Sequence, residues 1–397
     1  MNFKNRLLMT AVSGVALFGA GMAGAATITG WNTDNVVVGS TPADGVTGSS
    51  VVYDQDPSNP GATSSGKITF TPPEATSPGI KVQPEVYTQG GSAGLTLDGC
   101  IMTSNSNATC TSPFQSGKRV KQQMTGTDPV DLVFDIQEGD ETNYQVFSRL
   151  INATTKSLAG FAIEIGFGVG NDFVQATADQ GITFSVDFSA QPSSANASVT
   201  TQFPFGLFGD ASTNPNFTLD GFFAPELTGF DVSQTATSIT STGLFGPYEG
   251  LFGSWISSES VPEGAFWDND NDSTTEALLM AWLNADGLWE MRRDVLDQVA
   301  GTAVSLTGTD VEFFATYAEL MARLGLGTDL LADDIEDLAN LNLNYAINIS
   351  DTVASGSFTL RTVAIAAAVP LPLSAPLLAG GLGLLGMVSR RRKRRTA

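Results

Sequence analysis

"LNLNYAINIS", Leu341 to Ser350, places an apolar side chain at every second position: Leu341, Leu343, Tyr345, Ile347 and Ile349, with Asn, Ala and Ser between them. Successive side chains of a strand point to opposite faces, so this pattern describes a strand with one buried and one polar face. A helix would repeat its apolar positions every three to four residues instead. The following "GSFTLRTVAI" (356–365) is also rich in β-branched and aromatic residues and is expected to pair back on it as a hairpin.

The same signature recurs toward the N-terminus. "SSVVYD", "GKITFTP", "LVFDI", "YQVFSRLI", "FAIEIGFGV" and "ITFSVDF" are short, β-branched or aromatic, and partly alternating, with Gly, Pro, Asn and Asp between them. Strands so spaced imply a mainly β, sandwich-like body over residues 26–365. Three "GLFG" copies, at 206–209, 243–246 and 250–253, read as aromatic-anchored turns. "FPFGLFGD" and "GFFAPELTGF" can present an apolar patch to a partner.

Residues 273–340 read as an α-helical insertion in that body. Leu278, Leu279, Trp282, Leu283 and Trp289 fall near helical spacing behind a capping box, Ser273-Thr274-Thr275-Glu276, and Asn284-Ala285-Asp286-Gly287 breaks or bends the helix. A second capping box, Thr309-Asp310-Val311-Glu312, opens a helix that buries Phe313, Phe314, Tyr317, Leu320, Met321 and Leu324 and closes at Gly325. "DLLADDIEDLANL" reads as a third, acidic helix.

Composition bounds the chemistry. The 397 residues contain no histidine, which excludes Ser-His-Asp and Cys-His catalysis as usually built and histidine-ligated zinc or iron. Cys100 and Cys110, nine residues of "IMTSNSNAT" apart, form a structural disulfide if the chain is exported. Asp268, Asp270 and Asp272 in "DNDND" alternate in a turn and can offer hard oxygen ligands to calcium, with the Asn269 or Asn271 carbonyls completing the shell. Ser273 and Leu279 stand where an EF-hand loop needs Gly and Glu, and a solvated, helix-capping turn is the plainer use of these residues. "GFGVGN", with Gly166, Gly168 and Gly170, is followed by no Lys-Ser/Thr and reads as a strand with glycine bulges, not a phosphate loop. Glu138, Asp140 and Glu141, with Glu164, Asp187 or Asp268, are the carboxylates from which a glycosidase pair would be drawn.

The two ends read as addresses. Lys4 and Arg6, an apolar run, and Ala23-Gly24-Ala25 make a secretory signal peptide over 1–25, cleaved after Ala25. At the other end a sorting segment, 366–397, carries an uncharged transmembrane stretch (371–389) and then Arg390, Arg391, Arg392, Lys393, Arg394 and Arg395. Such a cluster is retained on the cytoplasmic side and attracted to anionic lipid. Residues 1–25 hold two of the 19 basic residues and 366–397 hold six, and neither holds any of the 41 acidic ones. The body therefore sets 11 basic against 41 acidic, a formal charge of −30. Such a surface repels nucleic acid.

Val369-Pro370-Leu371-Pro372, the glycine-containing "LLAGGLGLLGMV" and the terminal Arg cluster resemble the VPLPA-CTERM sorting signal of the wider PEP-CTERM group, with Leu373 where that signal usually has Ala. The resemblance implies a Gram-negative exported protein that engages the export machinery, is tethered at the inner membrane, and is processed by an exosortase. Its destination would be the cell surface or an exopolysaccharide-rich matrix. "SPFQSGKRVKQQ" and "GLFGSWISSESVPEGAFWDNDND" are similar to choice-of-anchor proteins, class F, a resemblance that implies surface display and brings no catalytic residues. The expectation is a non-enzymatic surface or matrix protein, binding or structural, with calcium as its one candidate cofactor. The competing reading is a secreted carbohydrate-active hydrolase using paired carboxylates.

Overall fold

The computed structural model describes residues 26–88, 96–112, 116–185, 229–245, 255–271, 277–306, 308–353 and 356–366. The chain first lays down β1 (Thr27–Asn32), β2 (Val36–Val37), β3 (Gly48–Val52), β4 (Gly66–Phe70), β5 (Ile80–Thr88) and β6 (Thr96–Thr103). Then come β7 (Val120–Met124), β8 (Val130–Gln137), β9 (Thr142–Asn152), β10 (Leu158–Phe167), β11 (Val174–Gln175) and β12 (Ile182–Phe184). After β13 (Gly229–Gln234) and β14 (Ser238–Phe245) follow β15 (Glu263–Trp267), β16 (Leu278–Leu283), β17 (Trp289–Met291), β18 (Arg293–Asp297), β19 (Thr302–Ser305) and β20 (Glu312–Phe314). Helix α1 (Tyr317–Leu324), β21 (Leu330–Asp334), β22 (Asn340–Ile349) and β23 (Gly356–Ala366) complete the order.

The protein is mainly β. One sheet runs β1-β8-β23-β10-β14-β13, and the other β12-β22-β9-β7-β4-β3-β2, with the β5–β6 hairpin joined to β9 through parallel β6. A shared core that takes Phe134, Ile163 and Phe358 from the first and Ile68, Tyr144 and Ile347 from the second makes the pair a sandwich. Strand β22 forms ten consecutive antiparallel pairs with β9, from Asn340 opposite Ile151 to Ile349 opposite Thr142. Leu341, Leu343, Tyr345, Ile347 and Ile349 are all buried, as the alternation requires. Each contributes about 1.5–3 kcal/mol of apolar burial.

The expected hairpin is different. Strand β23 does not return to β22; it crosses to the other sheet and pairs with β8 and β10, where Phe358 stacks on Phe134 at 5.6 Å. The apolar content of β23 is satisfied equally well on either side of one core, so its sequence cannot choose the partner.

The helical insertion is also corrected. Among the described residues this region is a five-stranded sheet, β20-β17-β16-β15-β21, with the hairpin β18–β19 and the single helix α1. It has its own core, built from Trp267, Met280, Met291, Leu320 and Leu324 among others. Residues 278–282 are buried without interruption, and a strand covered on both faces loses its alternation and reads as a continuous apolar run. The Asn284–Gly287 break is a hairpin turn: Gly287 N donates to Asn284 O, Asn284 N to Leu288 O, and Gly287 sits at φ 74°. Helix α1 begins at Thr316, not Thr309. Thr316 Oγ1 accepts the Glu319 N–H and Glu319 Oε2 accepts the Thr316 N–H, while Phe313 and Phe314 pair with β17. Its close at Gly325, φ 70°, is as expected. The third helix is β21 followed by a short 3-10 turn, Glu336–Ala339.

Trp255 joins the two units. It is fully buried, exchanges backbone hydrogen bonds of 2.8 Å with Leu158 in both directions, and donates Nε1–H to Ala339 O at 2.6 Å. One residue thus fastens the segment leading into the inserted unit to the segment leaving it.

Candidate functional site

The cysteines come together as expected. Cys100 on β6 and Cys110 are disulfide-bonded, with Cα atoms 5.9 Å apart, and both are buried. Ile101 faces the sandwich core, so Cys100 and Met102 face outward, where they cover Phe147 of β9. The loop that the bond closes is shaped by cations. Lys81 Nζ donates to Asn105 O (2.5 Å) and Ala108 O (2.8 Å). Lys118 Nζ donates to Cys110 O (2.9 Å) and Ser112 O (2.6 Å) and lies 4.4 Å over the Phe147 ring. From the other side Glu85 accepts the Cys110 N–H and the Thr111 hydroxyl, both at 2.6 Å. Burial, reinforced by neighbouring Arg119, pulls the Lys118 ammonium down to about 8. Lys81 is lowered by burial too, against the opposing charge of Glu85. The sequence offered the disulfide; the lysines that template its loop carried no recognisable signal.

On the same outer face an open cleft of about 270 Å³ lies between the second sheet and the inserted unit. Its sheet wall follows from strand register. Thr69, Lys121 and Arg149 are partners across β4, β7 and β9, as are Gln123, Ile151 and Asn340 across β7, β9 and β22. Inward residues of these strands, Val120, Met124 and Leu150, fill the core, which leaves Lys121, Gln123 and Arg149 facing out. The opposite wall supplies Asp334 and Glu336, with Ser258 and Val261 at the rim. Lys121 is also 3.4 Å from Glu74 Oε2. The cleft thus sets two cations against two carboxylates among hydroxyl and amide groups. Its carboxylates are one residue apart on a single segment, whereas a glycosidase needs one on each side of the scissile bond.

The other sequence candidates are scattered. Asp268 follows β15, its N–H donating to Asp329 O, and Asn269 Nδ2 donates to Gly301 O at 2.7 Å. Asp270 lies in the same turn, while Asp272 and the Ser273–Glu276 box fall outside the described residues. Among the described residues no group of three or more carboxylate, thiol or imidazole side chains is placed to hold a metal. Glu141 accepts from Asn348 Nδ2 at 2.6 Å, Glu164 sits mid-strand in β10 opposite Arg361, and Asp187 is outside the described residues. The three Gly positions of "GFGVGN" divide. Gly166 is ordinary strand, and Gly168 (φ 80°) and Gly170 (φ 55°) form a turn leading back to β11. Of the "GLFG" copies, Gly243–Phe245 belongs to β14 and is strand rather than turn; the others lie outside the described residues. So do Ala23, Ala25, Val369, Pro370, Leu371, Pro372, the 371–389 segment and Arg390 to Arg395. No described helix is long and apolar enough to cross a membrane.

One pair was missed altogether. Asp131 on β8 is 1% exposed and takes Arg361 of β23 in a two-pronged bridge, Nε–Oδ1 at 2.7 Å and Nη2–Oδ2 at 2.8 Å. Arg361 Nη2 also donates to Gly170 O, and Gly170 N to Asp131 Oδ2, each at 2.7 Å. The guanidinium lies 3.8 Å over the Phe173 ring. In sequence these charges are 230 residues apart and look like ordinary strand-surface residues.

No family model, no curated protein and no solved structure matches the chain.

Proposed function

We propose that the protein is exported to the cell surface or extracellular matrix of a Gram-negative bacterium, is sorted there by exosortase processing of its tail, and acts by binding or as a structural component among exopolysaccharides. The observation that carries this reading is the buried Cys100–Cys110 bond. Its loop is organised around the linkage, and disulfides of this structural kind persist in oxidising compartments. Two further features favour export. Ala26, which cleavage after Ala25 would make the first residue, is buried and donates its N–H to Asp140 O in the turn carrying Glu138 and Glu141. The α-ammonium created there would face an acidic turn. The tail's sorting-signal resemblance supplies the processing step.

Binding is favoured over hydrolysis by the junction cleft. Its hydroxyls, amides and paired charges suit the rim of a sugar chain, and its carboxylates share one wall. The test is intact-mass spectrometry of the protein recovered from cell surface and medium. The expected species begins at Ala26 and lacks the Arg390–Arg395 cluster. Surface protein still ending in Thr396-Ala397, or a cytosolic pool with both ends retained, overturns the reading.

A further inference from the structure

A second hollow, of about 230 Å³, lies where three connections of the sandwich meet. The end of β1 contributes Asn32, the β1–β2 connection Asp34 and Asn35, the β3–β4 connection Asp56, and the turn after β10 Gly168 and Val169. The approach is close: a Cβ on Gly170 would stand 2.1 Å from Asp54 O, so only glycine lets this turn reach the β3–β4 connection.

The oxygen chemistry is unbalanced. Asn35 is 3% exposed, and its Nδ2 donates to Tyr53 O at 2.9 Å and Asp131 O at 3.0 Å. Those two bonds fix the amide's orientation and leave Oδ1 buried with no donor among the described residues. A buried acceptor in a native fold ordinarily meets a donor, a water or an ion. Among the described residues the Asp34 carboxylate accepts no hydrogen bond; only its backbone N–H is engaged, to Asn32 Oδ1 at 2.9 Å. Asp56 commits Oδ1 to Ser58, through its N–H (2.8 Å) and hydroxyl (2.7 Å), and among the described residues Oδ2 accepts no hydrogen bond. The nearby cation, Arg361, is spent on Asp131 and Gly170. Two carboxylates and two amide oxygens at neighbouring chain segments, with no cation among the described residues of the lining, match the hard, flexible, all-oxygen shell that calcium prefers; magnesium demands a more rigid octahedron.

We propose that this hollow binds a calcium-class divalent cation through Asp34, Asp56 and the amide oxygens of Asn35 and Asn32, tying the β1–β2 connection to the β3–β4 connection. The site is distinct from the Asp268–Asp272 turn of the inserted unit and does not depend on export or sorting. The probes are calcium and terbium ions, added to the purified, EDTA-stripped protein. Terbium occupies calcium sites and is sensitised by a nearby indole; Trp31 immediately precedes Asn32. The expected results are tryptophan-excited terbium emission displaced by calcium at about 0.1–1 mM, as in extracellular calcium modules, and a sandwich Tm raised by about 2 °C at 5 mM calcium. Asp34→Asn with Asp56→Asn, both exposed positions, should lose both responses. Asp268→Asn, Asp270→Asn and Asp272→Asn together should keep them. No response in the wild type, or a response that survives Asp34→Asn with Asp56→Asn, overturns the proposal.

Discussion

Replacing Arg361 by Met tests what holds the end of the sandwich near the second hollow. The substitution keeps most of the side chain's volume but leaves the Asp131 carboxylate, 1% exposed, with only the Gly170 N–H for compensation. Breaking a buried pair from one side costs about 3–5 kcal/mol, because an uncompensated charge stays out of water. Loss of the Arg361–Gly170 bond and of the stacking on Phe173 adds in the same direction. Removing both charges, with Asp131→Asn and Arg361→Met, abolishes the buried charge and should recover at least about 2 kcal/mol relative to Arg361→Met alone. Urea unfolding of the wild type, the two single variants and the double variant, followed by Trp fluorescence and far-UV circular dichroism, gives the coupling energy. The reasoning fails if Arg361→Met costs less than about 1 kcal/mol, or if the double variant loses the sum of the two singles.

Other expectations are simpler to state. Cys100→Ala with Cys110→Ala should destabilise the sandwich by about 2.8 kcal/mol on the chain-entropy account for an 11-residue loop; an unchanged calorimetric transition would refute it. Leu320→Ala, at a fully buried position of the second core, should cost about 2–5 kcal/mol. Amide hydrogen exchange should place that loss in β15–β21 and leave β22 and β23 protected. Lys118 releases its proton near 8 in the folded protein, against an ordinary 10.5, so the unfolded chain holds more protons between those values. Stability should therefore rise with pH from about 8 to 10, and Lys118→Met should flatten that rise in a set of urea midpoints. Lys121→Ala with Arg149→Ala should weaken retention on the producing strain's own matrix polysaccharide in affinity electrophoresis, without lowering Tm by more than a degree or so, since both side chains face outward.

How much of this was readable in the chain depends on how locally each feature is encoded. The period-two run of β22 was legible because one face is core and the other is not. The uninterrupted burial of β16 hid its strand, because two covered faces erase the pattern that separates strand from helix. Capping chemistry was legible in kind but not in place. Thr309-Asp310-Val311-Glu312 and Thr316-Tyr317-Ala318-Glu319 have the same signature, and only pairing of Glu312–Phe314 with β17 decides between them. The disulfide needed only two cysteines. The Asp131–Arg361 pair, the Lys118 cradle and the Asn35 oxygen needed the fold itself, since each joins side chains that the sequence leaves far apart or unremarkable.

The charge distribution gives these scattered features a common logic. A body of formal charge −30 repels itself, and several of its eleven cations are placed where they do structural work. Lys81 and Lys118 shape the disulfide loop, Arg361 neutralises Asp131, and Arg323 bridges Asp294 and Glu312 on the exposed surface of the inserted unit, each at 2.7 Å. Eleven cations cannot each neutralise one of 41 carboxylates, so most of the body's carboxylates have no cationic partner of their own. Asp34 and Asp56 line one hollow with Asn35, whose amide oxygen meets no donor among the described residues, and an external divalent cation can supply what the chain does not. If that is the reason these carboxylates are unpaired, calcium should stabilise the sandwich more at low ionic strength, where self-repulsion is least screened, than at 1 M NaCl. Equal calcium-induced Tm shifts at the two salt concentrations would show that the loops are tied together without the field of the whole body contributing.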